Sequence, residues 1–595
     1  MREKDYSHTG LIKSIISSCC SIQKEPKRTS STLKFHLPII VLLTIGFLGI
    51  LPSAKGANFF WDNGSGNGLY TTSTNWTTNI APSGTRIDIH FENNYGTGAE
   101  TVSLNSSSNV REINFDNPTA YTINNNTFTF NSGSGTHAIF AGDANGAPTG
   151  PITHTINSNI VVSSSNFTLE NTAVSSNVNV EVAGTLSLGT TNVNLNGNGS
   201  LEVSGVISGS GQVIKTGASG TGTVTFSGNN TYTGLTTVGN GILKATHLDA
   251  LGSSSGSTTI SSGGTVEYDI PAFGFVNEDF TIAGTGSAGQ GALVNSSSTS
   301  VFFGGDVRLS ANATVSNVDS GGFLLLNGDV FLQTNTLTVN IDNGSAGFGT
   351  NTVISGTGGL IKTGTGFASF RQTGTTDNTY TGLTEVQAGT LSTSSSIDGL
   401  DLITGDIKIS GGTLSLLHDN NVVDTSDVEL AGGTLNFQAS GSGSTDVEET
   451  FNTLTLTDDS TIILNNVGSS GTGIIVANFA DSSATSWTSG KTLTIESWDG
   501  TFASGGGEDQ IFFGNSSSGL TSTQLSQIKF LNPAGQFGIF DAAILANGEI
   551  VPVPEPSTYI IGGLLLILIG YIERKRIHAL AFMLKSFMQQ ADPKC

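Results

Sequence analysis

The chain has 595 residues, with 23 Lys and Arg against 46 Asp and Glu, a formal net charge of −23. Only 12% of residues are charged and the mean hydropathy is +0.04, the reverse of the low-hydrophobicity, high-charge balance that keeps a chain disordered. Ala-, Glu- and Lys-rich periodic segments are missing between the two ends, which excludes a helical protein; Gly, Ser, Thr and Asn interleaved with Val, Ile, Leu and Phe read as short β-strands separated by turns.

In chain order, residues 1–56 read as a secretory signal peptide. A basic stretch precedes the apolar run Leu37–Leu51, and Ala54 and Gly56 fit the small-residue cleavage positions. Residues 57–200 read as the first coils of a repetitive body with their cap. Phe59-Phe60-Trp61-Asp62, Asn75-Trp76 and Ile87–Phe91 open it, and Trp61 and Trp76 are expected to cover the first open coil. Asp62–Asn67 is a weak oxygen-rich loop.

Residues 201–450 carry internal repeats. Val206–Ala245 aligns with Val353–Thr393; Lys215 matches Lys362 and Tyr232 matches Tyr380, with Gly234 and Gly382 two positions on. Shorter periods run beside these. Gly411-Gly412-Thr413 returns as Gly432-Gly433-Thr434, and Asp406 and Asp306 return as Asp427 and Asp329. A period of 20-odd residues with alternating apolar positions, as in Thr221–Phe226 and Ile407–Ser410, points to coils that bury their apolar faces only by stacking. About 490 residues at roughly 22 per coil give about 22 coils, spaced at about 4.8 Å. The frame GxG-x-x-x-KTG followed by NTYTG-x-T-x-V resembles the autotransporter-associated β-strand repeat. That resemblance implies an all-β, right-handed parallel β-helix.

Residues 451–550 read as a terminal β module that covers the last coil, with one short helix in Leu520–Phe530. Residues 551–576 hold Pro554-Glu555-Pro556, a 14-residue apolar run (Tyr559–Ile572) and the basic cluster Arg574, Lys575 and Arg576, with a C-terminal extension over 577–595. The order of these three parts resembles the PEP-CTERM sorting signal of Gram-negative bacteria. The resemblance implies a short transmembrane helix, recognition by an exosortase-type processing protease, and passage through the inner membrane to the cell surface or extracellular matrix.

Residues 57–572 hold 10 basic and 41 acidic residues, a net −31, which disfavours nucleic acid because that partner needs clustered Lys and Arg. The three cysteines, Cys19, Cys20 and Cys595, all lie outside this body, so no disulfide framework is expected. Catalysis would need a carboxylate pair across a cleft. The candidates Asp424/Asp427 and Asp458/Asp459 stand in turn-like contexts, Arg371 has no evident counterpart, and Lys215 and Lys362 read as structural repeat positions. His90, His137, His247 and His418 are scattered and form no zinc motif. Asn75, Asn105 and Asn229 begin Asn-x-Ser/Thr triplets. No catalytic residue, metal site or cofactor is therefore expected. The expected function is that of an exported structural or adhesive solenoid, with exopolysaccharide as a possible partner; the alternative is a polysaccharide-degrading β-helix lyase or glycoside hydrolase.

Overall fold

The computed structural model describes residues 57–553 and 556–589, except 93–98, 132–136, 144–145, 147, 164–165, 217–221, 320, 395–396, 440–445 and 467–472. The chain divides into two compact units, Met1–Pro52 and Ser53–Cys595. The first unit, with the expected signal peptide, and Ala54 and Gly56 of its cleavage site lie outside the described residues.

The second unit is a parallel β-solenoid of about fifteen turns. Three short strands make a turn, and each strand bonds to its counterpart one turn on. Alternation sets the faces: in Val178–Val182 the three valines are buried while Asn179 and Glu181 are half-exposed. Along the first face Val213, Thr236, Thr258, Phe280, Val307, Val330 and Ile354 stack in register. Along the second, Leu201, Val224, Leu243, Val266, Leu293, Val315, Val339, Lys362 and Val386 do the same. Strand Val307–Asn317 turns the corner between these faces without a break. The third face is split. A five-stranded sheet runs from Ser108–Val110 to Ile207–Ser208, and a 13-stranded sheet starts afresh at Gly274–Val276.

The expected periodicity is present, but there are fewer turns than about 22 because the end coils carry loops. Register partners lie 22 residues apart at Thr236 and Thr258, whereas Phe59 pairs Ile89 at 30 and Ile462, Ile495 and Phe530 follow at 33 and 35. The two long repeats also do not stack on one another. Lys215 stands on the first face and Lys362 on the second, because their separation is six turns plus one strand. The repeated sequence therefore dictates a local corner and two strands, not a fixed face.

Both ends of the solenoid are closed. Trp61 bridges Trp76 with ring centroids 5.1 Å apart, Tyr70 meets Trp76 at 5.3 Å, and the Trp76 indole N–H donates to the Tyr70 carbonyl at 2.9 Å. Both tryptophans are buried, as a cap requires. At the other end α1 (Ser522–Gln527) is shorter than the expected helix and passes directly into strand Ile528–Leu531. Thr521 and Gln524 form its capping box, and Gln524 and Gln527 turn inward to donate to carbonyls of Ser482, Thr485, Thr488 and Lys491. Strands Ile539–Ile544 and Ile550–Val553 then pair antiparallel, which ends the parallel stacking.

The helix α2 (Pro556–Gln589) runs for 34 residues through the basic cluster. The expected short transmembrane helix is not found: among the described residues no helix is long and apolar enough to cross a membrane. The apolar run is only 14 residues and is stopped by Glu573, Arg574, Lys575 and Arg576, whereas a span takes about 20.

Candidate functional site

The residues of the long repeats join one coil to the next and pin the corner within a coil. The buried Asn378 amide accepts from the Ile354 N–H at 2.8 Å and donates to the Leu402 carbonyl at 2.8 Å. Asn230 repeats this with Ile207 N–H at 2.7 Å and the Ala250 carbonyl at 2.6 Å. The hydroxyls of Tyr232 and Tyr380 bond to Thr236 at 2.7 Å and Thr384 at 2.8 Å. Gly234 and Gly382 sit so close to the preceding turn that a Cβ would come within 2.1 and 2.3 Å of the Gly211 and Gly358 carbonyl oxygens. Lys362 is buried and donates to the carbonyls of Thr363, Gly364 and Ala388 at 2.6, 2.9 and 3.3 Å. Burial lowers the ammonium of both Lys215 and Lys362 to about 8.

Of the carboxylates singled out in the sequence, Asp427, Asp458 and Asp459 are corner fasteners. Asp427 accepts from Asn452, from Thr453 N–H and from the Thr453 hydroxyl. The Asp427 N–H donates to Asp406 at 3.1 Å, and Asp329 N–H to Asp306 at 3.1 Å, which is the physical origin of those two recurrences. Asp458 pairs with Lys491 at 2.5 Å and Asp459 accepts from Thr492 N–H at 2.7 Å. Asp424 contributes negative potential to Asp401 and Glu449. The Arg371 guanidinium lies 5.2 Å from the Phe323 ring centre. His90, His247 and His418 meet Glu92, the Asp249 N–H and Asp398 respectively, and His137 opens a first-face strand. Asn75 and Asn105 bond within the N-terminal loops. No group of three or more possible metal ligands occurs among the described residues. Pro554 and Glu555 lie outside the described residues; Pro556 begins α2, and Arg574, Lys575 and Arg576 are exposed on it.

One concavity stands apart, at the seam in the third face. After strand Gly241–Ala245 the chain turns through 246–256 without forming a strand, and Pro271, which has no N–H to give a ladder, precedes Gly274–Val276. Leu248 fills the edge, where any Cβ at Gly274 would fall 2.3 Å from it. A cleft of about 410 Å³ opens there. Asn230, Thr233, Ser253 and Asn277 border it, and Tyr268 and Glu278 form its inner wall. Glu278 is 4% exposed and accepts from the Thr258 hydroxyl at 2.8 Å; burial, with a smaller contribution from Asp279, pushes its carboxyl up to about 7. The Tyr268 hydroxyl is buried without a hydrogen-bonding partner among the described residues. Among the described residues, Asp249 and Glu278 are the only charged ones lining the cleft.

Strand Gly274–Val276 directs Val276 into this cleft and Phe275 outward. Phe273 and Phe275 are 54% and 48% exposed. With Phe302 they form an edge-to-face trio at 5.5, 4.8 and 5.2 Å, continued by Phe323 at 6.2 Å. None of these residues was singled out in the sequence. The signal present there was the interruption of the coil pattern by HLDALG and DIPAFGF. No protein-family model, curated protein or solved structure matches this chain.

Proposed function

We propose that the protein is an exported structural or adhesive solenoid, sorted to the cell surface or extracellular matrix through Pro554-Glu555-Pro556, the apolar run after it and the basic cluster Arg574–Arg576. The observation that carries the reading is the use made of the repeats: Asn230, Asn378, Lys362 and Asp427 are spent on coil-to-coil bonds. The sequence is thus invested in extending a surface. Such a surface acts through many weak contacts whose effective affinity grows with their number. The partner in this reading is a matrix polysaccharide, and an exosortase-type protease supplies the processing step.

Mass spectrometry of the mature ends tests the sorting. An N-terminus near Ala57 and a C-terminus near Pro556 are expected, and an intact Cys595 overturns it. Incubation with neutral and acidic polysaccharides tests the adhesive class: no reducing ends or unsaturated products are expected, and their release would establish the degrading enzyme instead.

A further inference from the structure

We propose that the third-face cleft and the aromatic strip beside it form a binding site for a neutral polysaccharide chain, an inference that rests on the adhesive reading above. A sugar ring has apolar C–H faces and hydroxylated edges. The site offers the matching pair of surfaces side by side. Phe273, Phe275 and Phe302 present ring surface on the outer side of the third face, and exposed aromatics supply large contact area with little conformational freedom to lose. The adjacent cleft supplies hydroxyl and amide groups from Thr233, Ser253 and Asn277.

Two further observations narrow the ligand. The Tyr268 hydroxyl stands in the inner wall of the cleft with no partner among the described residues, and leaving a buried hydroxyl unpaired is costly. A ligand hydroxyl reaching the inner wall satisfies it, and the volume of about 410 Å³ lies within the range of small-ligand sites, about 300–1,000 Å³. The charges then choose among glycans. Among the described residues the lining contains two acids and no Lys or Arg. The cations on neighbouring turns are engaged, Lys244 with Asp269 at 2.7 Å and Arg308 with Asp306 at 2.8 Å and with the Phe331 ring. Among the described residues nothing at the site neutralises a uronate or sulfate, and the Asp249 carboxylate at its border repels one.

Affinity electrophoresis of the full-length protein tests this, with gels containing neutral β-glucan, xyloglucan or dextran and a parallel gel containing polygalacturonate. Retardation is expected in at least one neutral gel and not in polygalacturonate. Phe275→Ala and Phe302→Ala, both on the outer side, are expected to weaken it at least tenfold with an unchanged circular dichroism spectrum, and Tyr268→Phe severalfold. No retardation in any neutral gel, stronger retardation by polygalacturonate, or undiminished retardation of Phe275→Ala overturns the site. If mature ends near Ala57 and Pro556 accompany any of these, the site fails while the sorting reading stands.

Discussion

Asn378 shows how one side chain fastens three turns: its carbonyl takes the Ile354 N–H below and its amide gives to the Leu402 carbonyl above. Asn378→Ala leaves both groups buried and unpaired, at about 1–3 kcal/mol each, so thermal unfolding should begin at a clearly lower temperature. Buried acids give a second residue-scale expectation. Burial holds the carboxyls of Glu278 and Asp509 at about 7. Between the ordinary carboxylate range and that value the folded chain binds more protons than the unfolded one, so stability falls as pH rises through this window. Lys215 and Lys362, lowered to about 8, act oppositely: from there to the ordinary lysine value the unfolded chain binds more protons, and stability rises. Denaturant midpoints measured from pH 5 to 8 should show a shallower decline in Glu278→Gln than in the parent; equal slopes would remove Glu278 as a source.

Elements in this fold depend on their immediate neighbours more than on distant ones. The first turn has only one neighbour, and the Trp61–Trp76–Tyr70 cluster supplies the missing contact. Trp76→Ala should cost about 3–5 kcal/mol, as large aromatic deletions do. In a stacked array that loss is spent locally. Amide hydrogen exchange should accelerate in strands Ala57–Phe60 and Ile87–Phe91 and remain slow in Leu454–Asp458. Uniform acceleration along the chain would show a cooperativity that nearest-neighbour stacking does not provide. The seam is the other place where elements decide the outcome: a turn at 246–256 in place of a third-face strand leaves the concavity lined by Tyr268 and Glu278.

For the whole molecule, the antiparallel strands Ile539–Ile544 and Ile550–Val553 complete the solenoid before α2 begins. A chain ending at Val553 should keep the β-type circular dichroism spectrum and thermal midpoint of the full chain. A fall of more than a few degrees would make α2 part of the folding unit. The acid excess over 57–572 is also a property of the whole. With Lys215 and Lys362 buried and Lys408, Lys491 and Lys529 ion-paired, little positive surface remains to meet anionic polymers.

The sequence by itself determined the stacked β-coil and its period, because Asp306, Asp406 and the glycines near 411 and 432 recur at the spacing that brings each beside its counterpart one turn on. It also marked Trp61 and Trp76 as a cap, since two large aromatics at the start of an open stack have an apolar edge to cover. Only the tertiary structure placed Lys215 and Lys362 on different faces, because a face is set by the accumulated lengths of every intervening loop. It alone assembled the cleft, since Asn230, Tyr268 and Glu278 come from successive turns and meet only where the third sheet is interrupted.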